Sequence, residues 1–497
     1  MGRLADTLTD AGHSVTLLVP VADVTRRNIT GVKTTKDIVF VDQDEIAQRN
    51  MISPKGDLVS LWTKSFNVED IEDTISVFHK NTIQTCAMLF RNPDIFDEMK
   101  SRNFDVVLTE PLSICGTGFA YRLGIRKMIQ TTSCTFFDHM NTHLGEPEEH
   151  SYVPSLFAQT SEQMDLWERY ENFKTIRYLN TLFNKLFDAE EKLYTDNYQV
   201  EIPPWRDLLA SSSLQFTNAN PNIDFPRPTI QKTVMIGGIS VNMDDIKSQK
   251  LDEQWDHVLS LRNRTMLISF GSMVRSADMP ITYRETMLRV IQSLPEVTFI
   301  WKYEIDDTQW AEHVPNVHFS KWVPQTALLS DHRITGFLTH GGLGSTNELA
   351  YNGKPALMVP IAWDQTRNAN MLARLGAAIT IKKSDLDNFE LVRKSIHSIL
   401  YDEGYTKTAR VIADMLENQP VKPKELVVRY TEFVAEYGPF PNMDPYIRQL
   451  NFWQRHGLDV LTIFYSGSIL LVLSVVLVLS RIVFSRLEVS IRQKKNQ

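Results

Sequence analysis

At 497 residues the chain is too long for one hydrophobic core, and 43% apolar with 23% charged residues excludes a disordered chain. Its 52 basic against 60 acidic residues give a formal charge of −8, so no basic excess exists to neutralise phosphates and no nucleic-acid partner is expected. Cys86, Cys115 and Cys134 match no zinc spacing and form no disulfide framework; buried free thiols are expected, with one bridge as the alternative.

Residues 1–12 read as a surface helix with Leu4, Leu8 and Ala11 on one face and Gly12 just past its end. HSVTLLVP, residues 13–20, then reads as a strand. A helix followed by a strand is the second half of a βαβ unit, and residues 1–12 hold no apolar core of the kind a signal peptide needs. The expectation is a chain that opens mid-domain, N-terminally shortened. Residues 104–108 (FDVVL) predict a short strand and 115–123 the helix after it, while 161–198 predict a helical insertion covering one side of the sheet.

Around Met235-Ile-Gly-Gly-Ile-Ser240 the pattern turns polar, as in an interdomain linker. A second alternation places strands at 265–270, 297–303, 336–339 and 355–360, with helices near 280–293, 345–352 and 367–375. Residues 460–479 then run without a charge for long enough to span roughly 30 Å of hydrocarbon as a helix. The tail beyond carries Arg481, Arg486, Arg492, Lys494 and Lys495 against Glu488, which places it in the cytosol and the body in the lumen. The terminal Lys494-Lys495-Asn496-Gln497 resembles a dilysine signal for retrieval to the endoplasmic reticulum.

The stretch 322–368 (WVPQTALLSDHRITGFLTHGGLGSTNELAYNGKPALMVPIAWDQTRN) is the most informative. A strand there runs into His340-Gly-Gly-Leu-Gly-Ser345 and then a helix, so free N–H groups of the first helical turn form an anion site. Neither a GxGxxG nor a GxxxxGK[ST] motif is present, which removes the main support for nicotinamide or ATP binding.

This stretch resembles the signature of the UDP-glycosyltransferase family, of the membrane-anchored, glucuronosyltransferase-like kind. Gly271-Ser272 after a strand, 427–437 and 456–460 match further family segments, so the resemblance spans nearly the whole chain. It implies a GT-B fold, two Rossmann-like α/β domains facing a cleft, plus one C-terminal transmembrane helix. The expected divisions are an acceptor-binding domain at 1–235, a linker at 236–263 and a UDP-sugar-binding domain at 264–435. A premembrane segment at 436–457, a span at 458–483 and a cytosolic tail at 484–497 follow.

The resemblance also implies roles. Trp322 stacks on uracil and Gln325 contacts the nucleoside. Ser272, His340 and the backbone from Gly342 through Gly344 to Ser345 hold the diphosphate. Glu348 takes the ribose hydroxyls; Asp364 and Gln365 bind the sugar. Many relatives carry Asn where this chain has Gly344. The implied reaction is inverting transfer of glucuronic acid or glucose to a lipophilic small molecule, with UDP-sugar as co-substrate and no separate cofactor. The base is a histidine oriented by a carboxylate; the carboxylate position is Glu110, and the histidine is expected upstream of Met1. His13 is read as structural.

Phe119, Phe136, Phe137 and Met140 are read either as acceptor-pocket lining or as core. Asp385-Leu-Asp387 follows Ser384 at a predicted helix start, so it is assigned to capping and no catalytic metal is expected. Asn28 and Asn263 head glycosylation sequons. The rival function is a non-catalytic member that binds UDP-sugar or pairs with a full-length enzyme, and a homo- or hetero-oligomer fits either reading.

Overall fold

The structure is a computed structural model that describes residues 1–50, 59–64, 68–197, 201–241, 243, 246 and 249–495. The chain divides into two compact units, Met1–Met443 and Asp444–Gln497.

The first unit opens with α1 (Gly2–Asp10), which buries Leu4 and Leu8. Ala11 is exposed because the helix stops at Asp10; Ala11 is its C-cap and Gly12 follows at φ 93°. β1 (Thr16–Pro20) and β2 (Asp37–Val41) pair in parallel as a two-stranded sheet. After α2 (Val68–Arg91) comes a parallel four-stranded sheet of β3 (Val107–Thr109), β4 (Met128–Thr132), β5 (Leu214–Thr217) and β6 (Thr233–Met235), in that spatial order. β3 begins later than the FDVVL pattern predicts, at Val107, where its pairing with Met128 of β4 starts.

Between these strands lie α3 (Cys115–Arg122), α4 (Asp138–Leu144), α5 (Leu166–Lys192) and α6 (Trp205–Ala210). The predicted helical insertion is α5, started by a capping box between Asp165 and Glu168. It buries Leu179, Phe183 and Phe187 among Met88 and Leu89 of α2, Met140 and Leu144 of α4 and Trp205 of α6, so it packs chiefly on helices. Phe119, Phe137 and Met140 belong to the same cluster, and Phe136 is buried beneath the Arg227 guanidinium; all four are core. Cys86 and Cys115 form a disulfide, correcting the expectation of free thiols: α2 and α3 pack together and bring two Cα atoms to 5.7 Å, which sequence spacing does not reveal. Cys134 remains free.

The crossing at Met235-Ile-Gly-Gly is close-packed. A Cβ on Gly237 would lie 2.4 Å from the Ala219 carbonyl carbon, and one on Gly238, at φ 92°, 2.3 Å from the Tyr351 hydroxyl. The polar stretch that follows is not all linker. α7 (Glu253–Ser260) places Trp255, Val258 and Leu259 on one face, and this apolar stripe is buried in the core of the next sheet.

That sheet is parallel and six-stranded, with spatial order β9-β8-β7-β10-β11-β12. Its strands are β7 (Arg264–Ser269), β8 (Val297–Lys302), β9 (Val317–Ser320), β10 (Ile334–Thr339), β11 (Ala356–Met358) and β12 (Ala378–Thr380). Between the strands lie α8 (Ile281–Gln292), α9 (Gln325–Ser330), α10 (Leu343–Asn352) and α11 (Gln365–Arg374), and α12 (Phe389–Tyr401) and α13 (Glu403–Glu417) follow β12. The chain winds from β7 outward to β9, then returns to β10 on the other side of β7, so the direction of winding reverses between β7 and β10. Asp385 accepts the Lys382 N–H at 2.9 Å and caps a short 3-10 turn, while Asn388 caps α12. α14 (Pro423–Tyr437) then buries Val427 and Val434 against Ile129, Leu214 and Phe216 of the first half.

In the second unit, α15 (Leu458–Lys495) is long and apolar enough to cross a membrane by length and composition. It continues without a break through residues 484–495 of the segment read as a tail.

Candidate functional site

The winding reversal leaves a crevice at the C-terminal ends of β7 and β10, the place where open parallel sheets bind ligands. β7 runs into Phe270-Gly271-Ser272, and β10 into His340-Gly341-Gly342. The two loops meet at the His340 ring. A Cβ on Gly271 would lie 2.7 Å from its Cε1, and a Cβ on Gly342 2.7 Å from its Nε2. The imidazole therefore fits only because both neighbours lack side chains. Gly271 also sits at φ 84°, a conformation side chains resist. Burial, followed by the charge of Lys302, lowers the His340 pKa to about 4, so the ring is neutral near pH 7.

Lys302, which sequence reasoning missed, ends β8 beside β7. Its ammonium donates to the Gly271 carbonyl at 2.8 Å and pairs with Glu304 at 2.9 Å. Ser276 Oγ donates to the Lys302 carbonyl and Ala277 N–H to Glu304. The base of the loop is thereby pinned, while Ser272 is exposed at its crest.

α10 starts at this crevice. Its first intrahelical bond runs from Thr346 N–H to the Gly342 carbonyl, so the N–H groups of Leu343, Gly344 and Ser345 precede any intrahelical partner. A Cβ on Gly344 would meet nothing within 4 Å. One turn further on, Glu348 accepts hydrogen bonds from Gln325 Nε2 and Thr326 Oγ1, each 2.5 Å, and Gln325 also reaches Ser345 Oγ at 3.1 Å. Trp322, just before α9, is 73% exposed, an unusual position for a large aromatic ring.

The loop after β11 completes this side. Trp363 holds φ 56°, a conformation that bulky residues rarely adopt. Asp364 follows, accepting from Asn368 Nδ2 at 2.8 Å, and burial raises its pKa. Gln365 is buried, and its amide oxygen accepts the N–H groups of Ile361 and Ala362 at 2.8 and 3.0 Å. That oxygen holds the loop.

Across the cleft, Glu110 follows β3 and accepts both the N–H (2.9 Å) and the hydroxyl (2.5 Å) of Ser133. The Cys134 thiol is pushed up by burial, then by the charges of Asp364 and Glu110, so carboxylates of both halves lie near one sulfur. α11 closes the same boundary. Arg367, 1% exposed, pairs with Asp224 at 2.7 Å and donates to Thr135 Oγ1 and the Pro154 carbonyl. His13 lies elsewhere, 3.1 Å from Glu432 on the surface, and Asn28 and Asn263 are exposed.

Solved structures share this architecture. The glycosyltransferase of kitacinnamycin superposes with TM-score 0.57 at 18% identity, covering 89% of this chain and 95% of its own. The glycosyltransferase VinC in complex with DTDP gives 0.57 at 17%, covering 88% and 96%. The fold is thus that of the GT-B glycosyltransferases. The model of the family UDP-glucoronosyl and UDP-glucosyl transferase matches residues 1–496, and the chain belongs to that family. Among its relatives are the ugt-47 protein of Caenorhabditis briggsae, 27% identical over 93% of this chain and 86% of that protein, and UDP-glucuronosyltransferase 1-2 of Rattus norvegicus, 26% identical over 90% and 82%. Human UDP-glucuronosyltransferase 1A3 is 26% identical over 78% of this chain and 70% of its own.

Proposed function

We propose that the chain transfers glucuronic acid or glucose from a UDP-sugar to a hydroxyl of a lipophilic small molecule, with inversion at the anomeric carbon. The observation that carries this is the convergence of His340, the α10 N-terminus and the Gln325–Glu348 pair at the β7/β10 crevice. In this reading the N–H groups of Leu343, Gly344 and Ser345 and the exposed Ser272 hold the diphosphate. Glu348, already an acceptor of two donors, takes the ribose hydroxyls, and the exposed Trp322 ring stacks on uracil. Asp364 and Gln365 hold the sugar. The acceptor oxygen attacks the anomeric carbon while its proton passes to a base, the bond to UDP breaks, and Glu110 orients the base. No separate cofactor enters this scheme.

The body is assigned to the lumen of the endoplasmic reticulum, anchored by α15. A long apolar helix with basic residues at its C-terminal end and a Cys86–Cys115 bridge suited to an oxidising compartment support this. A second reading, donor binding without turnover, is favoured by one observation: among the described residues the side-chain partner of Glu110 is Ser133, and no histidine bonds it. The discriminating experiment is transfer of labelled sugar from UDP-glucuronic acid or UDP-glucose to a simple phenol, in membranes expressing the chain. Labelled glycoside that disappears in Glu110→Ala supports the enzyme; retained UDP binding without glycoside supports the second reading.

A further inference from the structure

The segment 59–64 belongs to the first half in sequence but not in packing. Trp62, 1% exposed, and Leu61 are buried in the core of the second sheet, with Phe270, Val274 and Met279. The Trp62 ring meets Phe270 edge-on at 4.9 Å, and its Nε1–H donates to the Arg275 carbonyl at 3.1 Å. Phe270 and Arg275 bracket Gly271-Ser272, so Trp62 holds both ends of the loop whose middle faces the crevice. The backbone of the same segment reaches a second loop. Lys383 donates to the Leu61 carbonyl at 2.5 Å and to the Ile361 carbonyl at 3.0 Å, and Ile361 lies in the loop that carries Asp364.

We infer that Trp62 is a positioning residue for donor binding: an anchor from the acceptor half that fixes the 270–275 loop and, through Leu61 and Lys383, registers it with the 361–365 loop. This rests on the reading of those loops as diphosphate- and sugar-binding. A loop tied at its base by Lys302 alone can still pivot at its far end; the indole removes that freedom by packing on one side of Gly271 and hydrogen-bonding on the other. Because the indole comes from the other half, the donor loops are ordered only when the halves are engaged. The cost of ordering the loop is then met by folding and not by the ligand.

The test is calorimetric titration of UDP into the full chain in detergent, for wild type, Trp62→Phe and Trp62→Ala, with unliganded thermal midpoints alongside. Trp62→Phe keeps a ring against Phe270 but has no N–H for Arg275. It is expected to melt near the wild type yet bind UDP about fivefold more weakly, the loss of one hydrogen bond. Trp62→Ala, where it folds, is expected to lose about tenfold or more. Where turnover is measurable, donor KM rises and acceptor KM holds, a split that general destabilisation does not produce. Wild type and Trp62→Phe binding UDP equally would overturn the proposal and leave the donor reading standing. A wild type that does not bind UDP overturns both.

Discussion

At the scale of single residues, the site is organised by what His340 is denied. It has no room to move, because Gly271 and Gly342 press on it, and no charge, because burial and Lys302 hold its pKa near 4. A folded-state pKa below the ordinary 6.5 means that the unfolded chain binds a proton the folded chain refuses. The stability this contributes is complete above pH 6.5 and is lost as pH falls toward 4, up to on the order of 3 kcal/mol. Thermal melts of wild type and His340→Gln between pH 7 and 4 check this, the variant being the less sensitive. A bound diphosphate offsets Lys302, so UDP is expected to raise the His340 pKa, read from its ring-proton NMR shift.

The glycines give a paired prediction. Gly342→Ala forces a Cβ into the His340 ring and is expected to abolish UDP binding, whereas Gly344→Asn enters open space and is expected to preserve it within about threefold. The glycine-rich turn at His340 was legible in the sequence as a strand running into a helix. The fit of the His340 ring between Gly271 and Gly342 was not, because Gly271 enters from a distant strand. Lys302 was invisible for the same reason: only the sheet order puts the end of β8 beside the end of β7.

At the scale of elements, α11 carries the argument. Its N-terminus carries Asp364 and Gln365, assigned above to the sugar, and on the same helix Arg367 is buried against Asp224 and Thr135 of the other half. Removing one partner of a buried ion pair strands the other charge, so Arg367→Met is expected to cost about 3–5 kcal/mol in chemical denaturation. The double variant Arg367→Met/Asp224→Leu is expected to recover most of that loss, since no charge is left unpaired. The helices α8, α10 and α11 were readable within a few residues from their apolar spacing. α7 was not, because eight residues of helix with three buried positions sit inside a charged stretch that composition reads as linker. The disulfide was likewise closed to sequence, since nothing in 29 residues of separation says that α2 and α3 touch.

At the scale of the whole molecule, the first unit holds every residue assigned to the site, from Glu110 to Gln365. A chain ending at Met443 is therefore expected to bind UDP within about threefold of the full chain, measured in the same detergent. The family was legible from the ordered motifs between Trp322 and Asn368; the way the halves are bolted was not. Trp62, Arg367 and α14 all cross from one half to the other, and each is buried for reasons that only the partner surface supplies.

The most direct test of the account is the affinity of the wild-type chain for UDP compared with that of Glu348→Ala. Glu348 is assigned both ribose hydroxyls, and its loss is expected to weaken UDP by about tenfold or more while leaving the melting temperature of the unliganded chain within a few degrees of wild type. Equal affinity in the two proteins would contradict the placement of the nucleotide at the β7/β10 crevice.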